Sequence, residues 1–111
     1  MNTDEKVEWS KRMAELLKGV NDSEFGKWCR YAERDFGKAL KFAELMSRSP
    51  SLRDRPKETY NKIFRTFQGE LREKMEALPK GELSEVLGYL RRWLVAESLD
   101  ERRTQRPNRG T

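Results

Sequence analysis

Apolar residues recur at intervals of three and four along nearly the whole chain, and no stretch alternates strictly with period two. That spacing predicts helices and no strand. The first stretch, from about Thr3 to Lys18, places Trp9, Met13, Leu16 and Val20 at helical intervals. Thr3 is the expected N-cap, and Asp4 and Glu5 suit the positive end of the helix dipole. Gly19 followed by Asn21-Asp22-Ser23 reads as a stop and restart. The second stretch, Ser23 to Ser47, has the clearest pattern. Phe25, Trp28, Cys29, Ala32, Phe36, Ala39, Leu40, Ala43 and Met46 fall within about 60° of one axis if the helix is continuous. Gly37 within it marks either a kink or a tolerant surface position. Residues 48–56, with two prolines and two serines, form the longest linker. The third helix, Pro56 to Leu78, carries Tyr60, Ile63, Phe64, Phe67, Leu71 and Met75, and Pro79-Lys80-Gly81 ends it. The fourth, Glu82 to Leu99, carries Leu83, Val86, Leu87, Leu90 and Leu94, with Trp93 on its flank. The expectation is an all-α fold, a compact bundle of four main helices over residues 1–99. A disordered basic tail over residues 100–111 follows, because its apolar residues have run out.

Composition narrows the function. The 111 residues are 35% hydrophobic and 39% charged, which suits one domain with a thin core. No apolar run approaches the length of a membrane span, and no signal segment is evident, so a soluble cytoplasmic protein is expected. There is no histidine, which removes the commonest metal ligand and the commonest general base near neutral pH. Cys29 is the single cysteine and lies on an apolar face, so it reads as a buried inert thiol. Glu73 with Glu76, and Glu82 with Glu85, have a spacing that suits a metal or an acid/base pair, but bases neighbour each pair. No catalytic constellation and no Gly-rich phosphate loop is present. Neither enzymatic activity nor a cofactor or metal is expected.

The excess positive charge is local. The net charge is +5 overall. Residues 27–65 alone hold eleven bases against five acids, whereas residues 1–26 and 66–99 are each slightly acidic. On a continuous second helix, Lys27, Arg30, Arg34, Lys38, Lys41 and Arg48 lie about 140° to 220° from the centre of the apolar face. Glu24, Glu33, Asp35 and Glu44 fall on the flanks, so no acid interrupts a basic stripe about 30 Å long. Arg53, Arg55 and Lys57 extend it through the linker. A helix face serving solubility alone interleaves its signs. A separated array of cations suits a polyphosphate backbone, whose condensed counterions it releases. Tyr31 borders the stripe, either as a stacking surface for a base or as a half-buried helix-edge tyrosine. Arg91-Arg92-Trp93 has a similar look. Trp9, Trp28, Phe36, Phe64 and Phe67 lie on apolar stripes and read as core.

One segment also carries a family resemblance. Tyr31-Ala32-Glu33, Gly37-Lys38 and Leu40, then a Ser/Pro/Arg linker, then Thr59-Tyr60-Asn61-Lys62-Ile63-Phe64-Arg65, resembles the small all-helical subunit of type III CRISPR RNA-guided effector complexes. The resemblance implies a non-catalytic subunit that stacks with copies of itself and with other protein subunits. It also implies contact with the backbones of guide and target RNA. Two other classes stay open on the residues alone. One is a protein-interaction adaptor whose basic stripe docks on an acidic partner. The other is a small DNA-binding regulator, against which a long second helix argues.

Overall fold

The computed structural model describes the backbone of residues 2–105, and the side chains of those residues except Ser98 and 100–105. Within that range the chain is all-helical and has no strand. Six helices form, where the apolar pattern predicts four.

Helix α1 spans Thr3–Leu16. Its cap is Asn2, one residue before the expected Thr3: the Asn2 side chain accepts the Glu5 N–H at 2.8 Å. Asparagine is the better cap of the two, and Thr3 is left free to be the first helical residue. After α1 the chain reverses at Gly19, whose φ of +89° only glycine adopts without strain. The Lys62 amine donates to the Lys18 carbonyl there, a cation placed at the negative end of α1.

Helix α2, Asp22–Arg34, is capped by Asn21, which accepts the Glu24 N–H at 3.0 Å. The predicted continuation to Ser47 does not occur. Asp35 adopts an extended conformation (φ −158°, ψ 98°) and does two jobs. Its N–H donates to the Tyr31 carbonyl at 3.1 Å, closing α2. Its carboxylate accepts the Lys38 N–H at 3.0 Å, opening helix α3, Phe36–Ser47. The break is invisible in the apolar pattern because the phase survives it. Buried Phe25, Cys29, Ala32, Phe36, Ala39 and Ala43 keep intervals of three or four straight through Asp35.

The predicted third helix is also two. Helix α4 spans Asp54–Thr66, and helix α5 spans Gly69–Ala77. Pro56 sits in the first turn of α4, where the missing N–H breaks no helical bond. Between the two helices Phe67 and Gln68 leave helical geometry, and Gly69 takes φ +57°. The turn carries its own polar satisfaction: Thr66 Oγ1 donates to the Lys62 carbonyl and Gln68 Nε2 to the Phe64 carbonyl. Phe67 is fully buried at that turn, so the apolar spacing again runs on through a break.

Helix α6 spans Lys80–Gln105, past the predicted end at Leu99 and into the stretch expected to be a tail. The rest of that expectation, residues 106–111, lies outside the described residues. Within the fold α1 packs on α6, α3 on α4, and α2 bridges α3 and α6. Trp28 is the centre of the core. It stacks on Phe67 at 5.2 Å and on Phe25 at 6.0 Å, and packs T-shaped against Phe36 at 6.0 Å. Of the carboxylate pairs singled out in the sequence, Glu82 and Glu85 hold Lys6 across the α1–α6 interface, at 3.6 and 2.9 Å. Lys6 is itself buried, and its hydrogen bond to Glu85 raises its pKa above the usual lysine value. Glu76 pairs with Arg72 at 3.0 Å. No described helix is long and apolar enough to cross a membrane.

Candidate nucleic-acid interface

The break at Asp35 divides the expected 30 Å stripe into two shorter arrays. On α2, Lys27, Arg30, Tyr31 and Arg34 stand at i, i+3, i+4 and i+7, which is one helix face. They line a shallow groove of about 260 Å³. On α3, Lys38 and Lys41 share a face, and Arg48 follows at the C-cap. Arg53 is the N-cap of α4, and Arg55 and Lys57 lie in its first turn. Arg55 and Lys57 are about 200° apart around that helix, so they do not extend one stripe together.

The expectation that no acid interrupts the cations is corrected at two places. Glu44 pairs with Lys41 at 3.7 Å and with Arg48 at 3.5 Å, because i,i+3 and i,i+4 neighbours on a helix meet whichever face a wheel diagram assigns them. Glu24 pairs with Lys27 at 3.7 Å. Arg30, Arg34 and Lys38 are exposed and form no ion pair among the described residues. Arg53 and Arg55 are likewise exposed and without an ion pair among the described residues, so Arg30, Arg34 and Lys38 are the unpaired cations of α2 and α3.

Tyr31 is more than a helix-edge tyrosine. Its ring stacks on Phe42 of α3 at 5.5 Å, and Phe42 in turn packs T-shaped against Tyr60 of α4 at 5.6 Å. Tyr31 stays 38% exposed while Phe42 stacks on its ring. Tyr60 is buried, and its hydroxyl donates to Glu24 Oε2 at 2.8 Å. Burial first, and that hydrogen bond second, push its pKa well above the usual tyrosine value. Glu24 thus ties Lys27 at the groove to Tyr60 in the core, so the groove wall is anchored on three helices.

The structure also assembles cations that the charge map did not group. Arg55, Lys62 and Arg65 recur at i, i+7 and i+10 on one face of α4, and with Lys18 they line a larger cavity of about 710 Å³. The spacing was readable in the sequence. Periodicity alone marks Lys62 and Arg65 only as residues off the Tyr60, Ile63 and Phe67 stripe and does not show what they face. Cys29, by contrast, is where the sequence puts it. It is fully buried, and burial raises its thiol pKa to about 12, with the nearby Glu33 adding to the rise and Arg91 opposing it. Trp28, Phe36 and Phe67 are core as expected, and Trp9 and Phe64 are partly buried against it.

No protein family matches the chain, and neither a curated protein nor a solved structure does. The functional reading rests on the geometry of these two cation-lined surfaces and on the residues that carry the resemblance given above.

Proposed function

We propose that the chain is a non-catalytic nucleic-acid-binding subunit of a ribonucleoprotein, gripping RNA by its phosphate backbone at the α2 groove. The observation that carries this reading is the composition of the groove. Three cations and one ring backed by Phe42 share a single helix face. Arg30 and Arg34 suit bidentate contacts to phosphate oxygens. Tyr31 offers a base a stacking surface, a contact worth about 1–3 kcal/mol per base and tolerant of sequence. Lys38 continues the contact onto α3, and Lys41, Arg48, Arg53 and Lys57 supply a more diffuse field around it. The resemblance to the small subunit of type III CRISPR effector complexes supports the same role. On that reading the partners are guide and target RNA, other subunits and further copies of the chain, within the cytoplasm.

The test is a titration of fluorescein-labelled single-stranded RNA at several salt concentrations, with two unrelated sequences of equal length. If the groove cations Lys27, Arg30 and Arg34 each neutralise one phosphate, log K falls against log salt with a slope of about −2. The two sequences bind alike, because backbone contacts position a strand without reading it. Binding that ignores salt, or that demands one sequence, defeats the proposal.

A further inference from the structure

We infer that the cavity between the α1–α2 turn, α4 and the C-terminal half of α6 binds a phosphate ester of nucleotide size. This holds whether or not a strand occupies the α2 groove. The cavity volume, about 710 Å³, falls within the range of small-molecule sites, roughly 300–1,000 Å³. Its α4 wall presents Arg55, Lys62 and Arg65. The Lys62 amine is already positioned by its bond to the Lys18 carbonyl. Asn21 and Asp22 bring the N-terminus of α2 to the cavity, where the helix dipole favours an anion. Thr59 is fixed at the rim by accepting the Asn21 N–H at 3.0 Å.

The opposite wall gives the ligand a second requirement. Glu97 lines the cavity from α6, and its Oε2 is buried with no hydrogen-bond partner among the described residues. A buried carboxylate oxygen calls for a donor. Asp22 at the start of α2, and Glu58 between Arg55 and Lys62 on α4, add acceptors of the same sign among the cations themselves. A bare polyanion fits the cations but is repelled by these carboxylates. A ligand with phosphate at one end and hydroxyl or amine donors at the other satisfies both walls. An amino acid has both kinds of group but fills only a small part of the volume. A nucleotide, with ribose hydroxyls and an exocyclic amine, has the chemistry and the size. It can arrive free or as the phosphorylated end of an RNA strand.

The full chain, isotopically labelled for amide NMR, is titrated with adenosine monophosphate, with adenosine and with inorganic phosphate. Adenosine monophosphate should move the amide signals of Asn21, Asp22 and Asn61 at the cavity, and the other two probes should bind more weakly. Arg65→Gln should weaken adenosine monophosphate by about tenfold, the loss expected for one charge-assisted hydrogen bond. Glu97→Gln should weaken adenosine monophosphate while strengthening inorganic phosphate, from which it removes a repelling charge. A short RNA with a phosphorylated end, compared with the same RNA ending in a hydroxyl, separates the two sources. Tighter binding of the phosphorylated RNA than of the free nucleotide assigns the site to a strand end, and the reverse assigns it to a free nucleotide. No movement at the cavity at millimolar nucleotide overturns the inference. So does movement confined to Arg30, Tyr31 and Arg34, a result that leaves the groove reading standing. Both of these observations use the unmodified protein, so neither depends on a variant folding.

Discussion

The indole N–H of Trp28 donates to the carbonyl oxygen of Ala39 at 2.8 Å, within the core. In one straight helix these residues would lie about 16 Å apart along the axis, beyond the reach of any side chain. The bond exists only because the chain bends at Asp35. It joins the last turns of α2 to the first turn of α3, and the stacking of Trp28 on Phe67 adds α4's end to the same point. Replacing Trp28 by Phe should cost about 1–3 kcal/mol, from the lost hydrogen bond and the unfilled volume. Asp35→Ala should cost about 1 kcal/mol as a lost N-cap. Both residues hold the same bend, so urea unfolding of the double variant should show non-additive losses. Strict additivity would mean that the bend is set elsewhere.

Stability should fall at alkaline pH, and the direction follows from three groups. Cys29, Tyr60 and Lys6 all have pKa values raised in the folded state. A raised folded pKa contributes stability that is fully present below the unfolded value and is lost as pH rises toward and through the folded one. Cys29 acts first, between its ordinary value of 9.0 and about 12. Tyr60 begins to contribute near 10.0 and Lys6 near 10.5. Between pH 9 and 10 the slope should approach about 1.4 kcal/mol per pH unit and be due to the thiol. Cys29→Ala should therefore flatten that part of the curve while leaving the steeper loss above it. An unchanged slope in the variant would show that the thiol is not the group responsible.

Two glycines in helix interiors differ in what surrounds them, and that sets an order. A Cβ at Gly88 of α6 meets nothing within 4 Å. Gly88→Ala should stabilise by about 0.8–1 kcal/mol through helix propensity alone. A Cβ at Gly26 of α2 meets the Arg91 guanidinium at 3.3 Å, the far end of a flexible side chain. Gly26→Ala should stabilise less, because Arg91 must shift to admit the methyl. Gly19→Ala should destabilise by about 1 kcal/mol or more, since its φ is +89°. Denaturant midpoints that ranked Gly26→Ala above Gly88→Ala would contradict the close approach of Arg91.

Binding should depend on where the cations are mounted. Arg30, Arg34 and Lys38 replaced together by Gln should weaken RNA binding far more than Arg102, Arg103 and Arg106 replaced by Gln. Each variant removes three charges, so a mechanism based on net charge alone predicts equal losses. The first set is held at the α2 groove and its continuation on α3, whereas Arg102 and Arg103 belong to α6. Tyr31→Ala should cost about 1–3 kcal/mol of binding if a base stacks there, whereas Tyr31→Phe should cost little. Equal losses from the two charge sets would reduce the groove to a solvated surface.

The helical class, most of each apolar stripe and the chemistry of the surface follow from the chain's periodicity, but Leu16 of the first stripe is 52% exposed and Leu17 beside it is buried in its place. Helical spacing alone placed Phe25, Trp28, Cys29, Ala32, Leu40, Ile63 and Leu90 in the core, and all are buried. A 3.6-residue period reports which way a side chain faces, and that survives a break as long as both segments turn the same phase toward one core. For this reason it could not reveal the breaks at Asp35 and at 67–69. Those were decided by competition among local polar bonds and the packing around Trp28 and Phe67. The cap at Asp35 was legible in principle, since an aspartate three residues before a free N–H is a known helix start, yet a propensity for helix on both sides concealed it. Only the tertiary structure could bring Lys18, Arg55, Lys62, Arg65 and Glu97 to one cavity, because two helices and the α1–α2 turn, distant in sequence, supply them. Only it could show that Arg30 and Arg34 flank a ring steadied by Phe42 of α3, whereas the pairing of Glu24 and Glu44 with neighbouring cations is a local i,i+3 and i,i+4 contact. Periodicity fixes directions around one helix axis, whereas the distances between axes come from how the side chains of all six pack together.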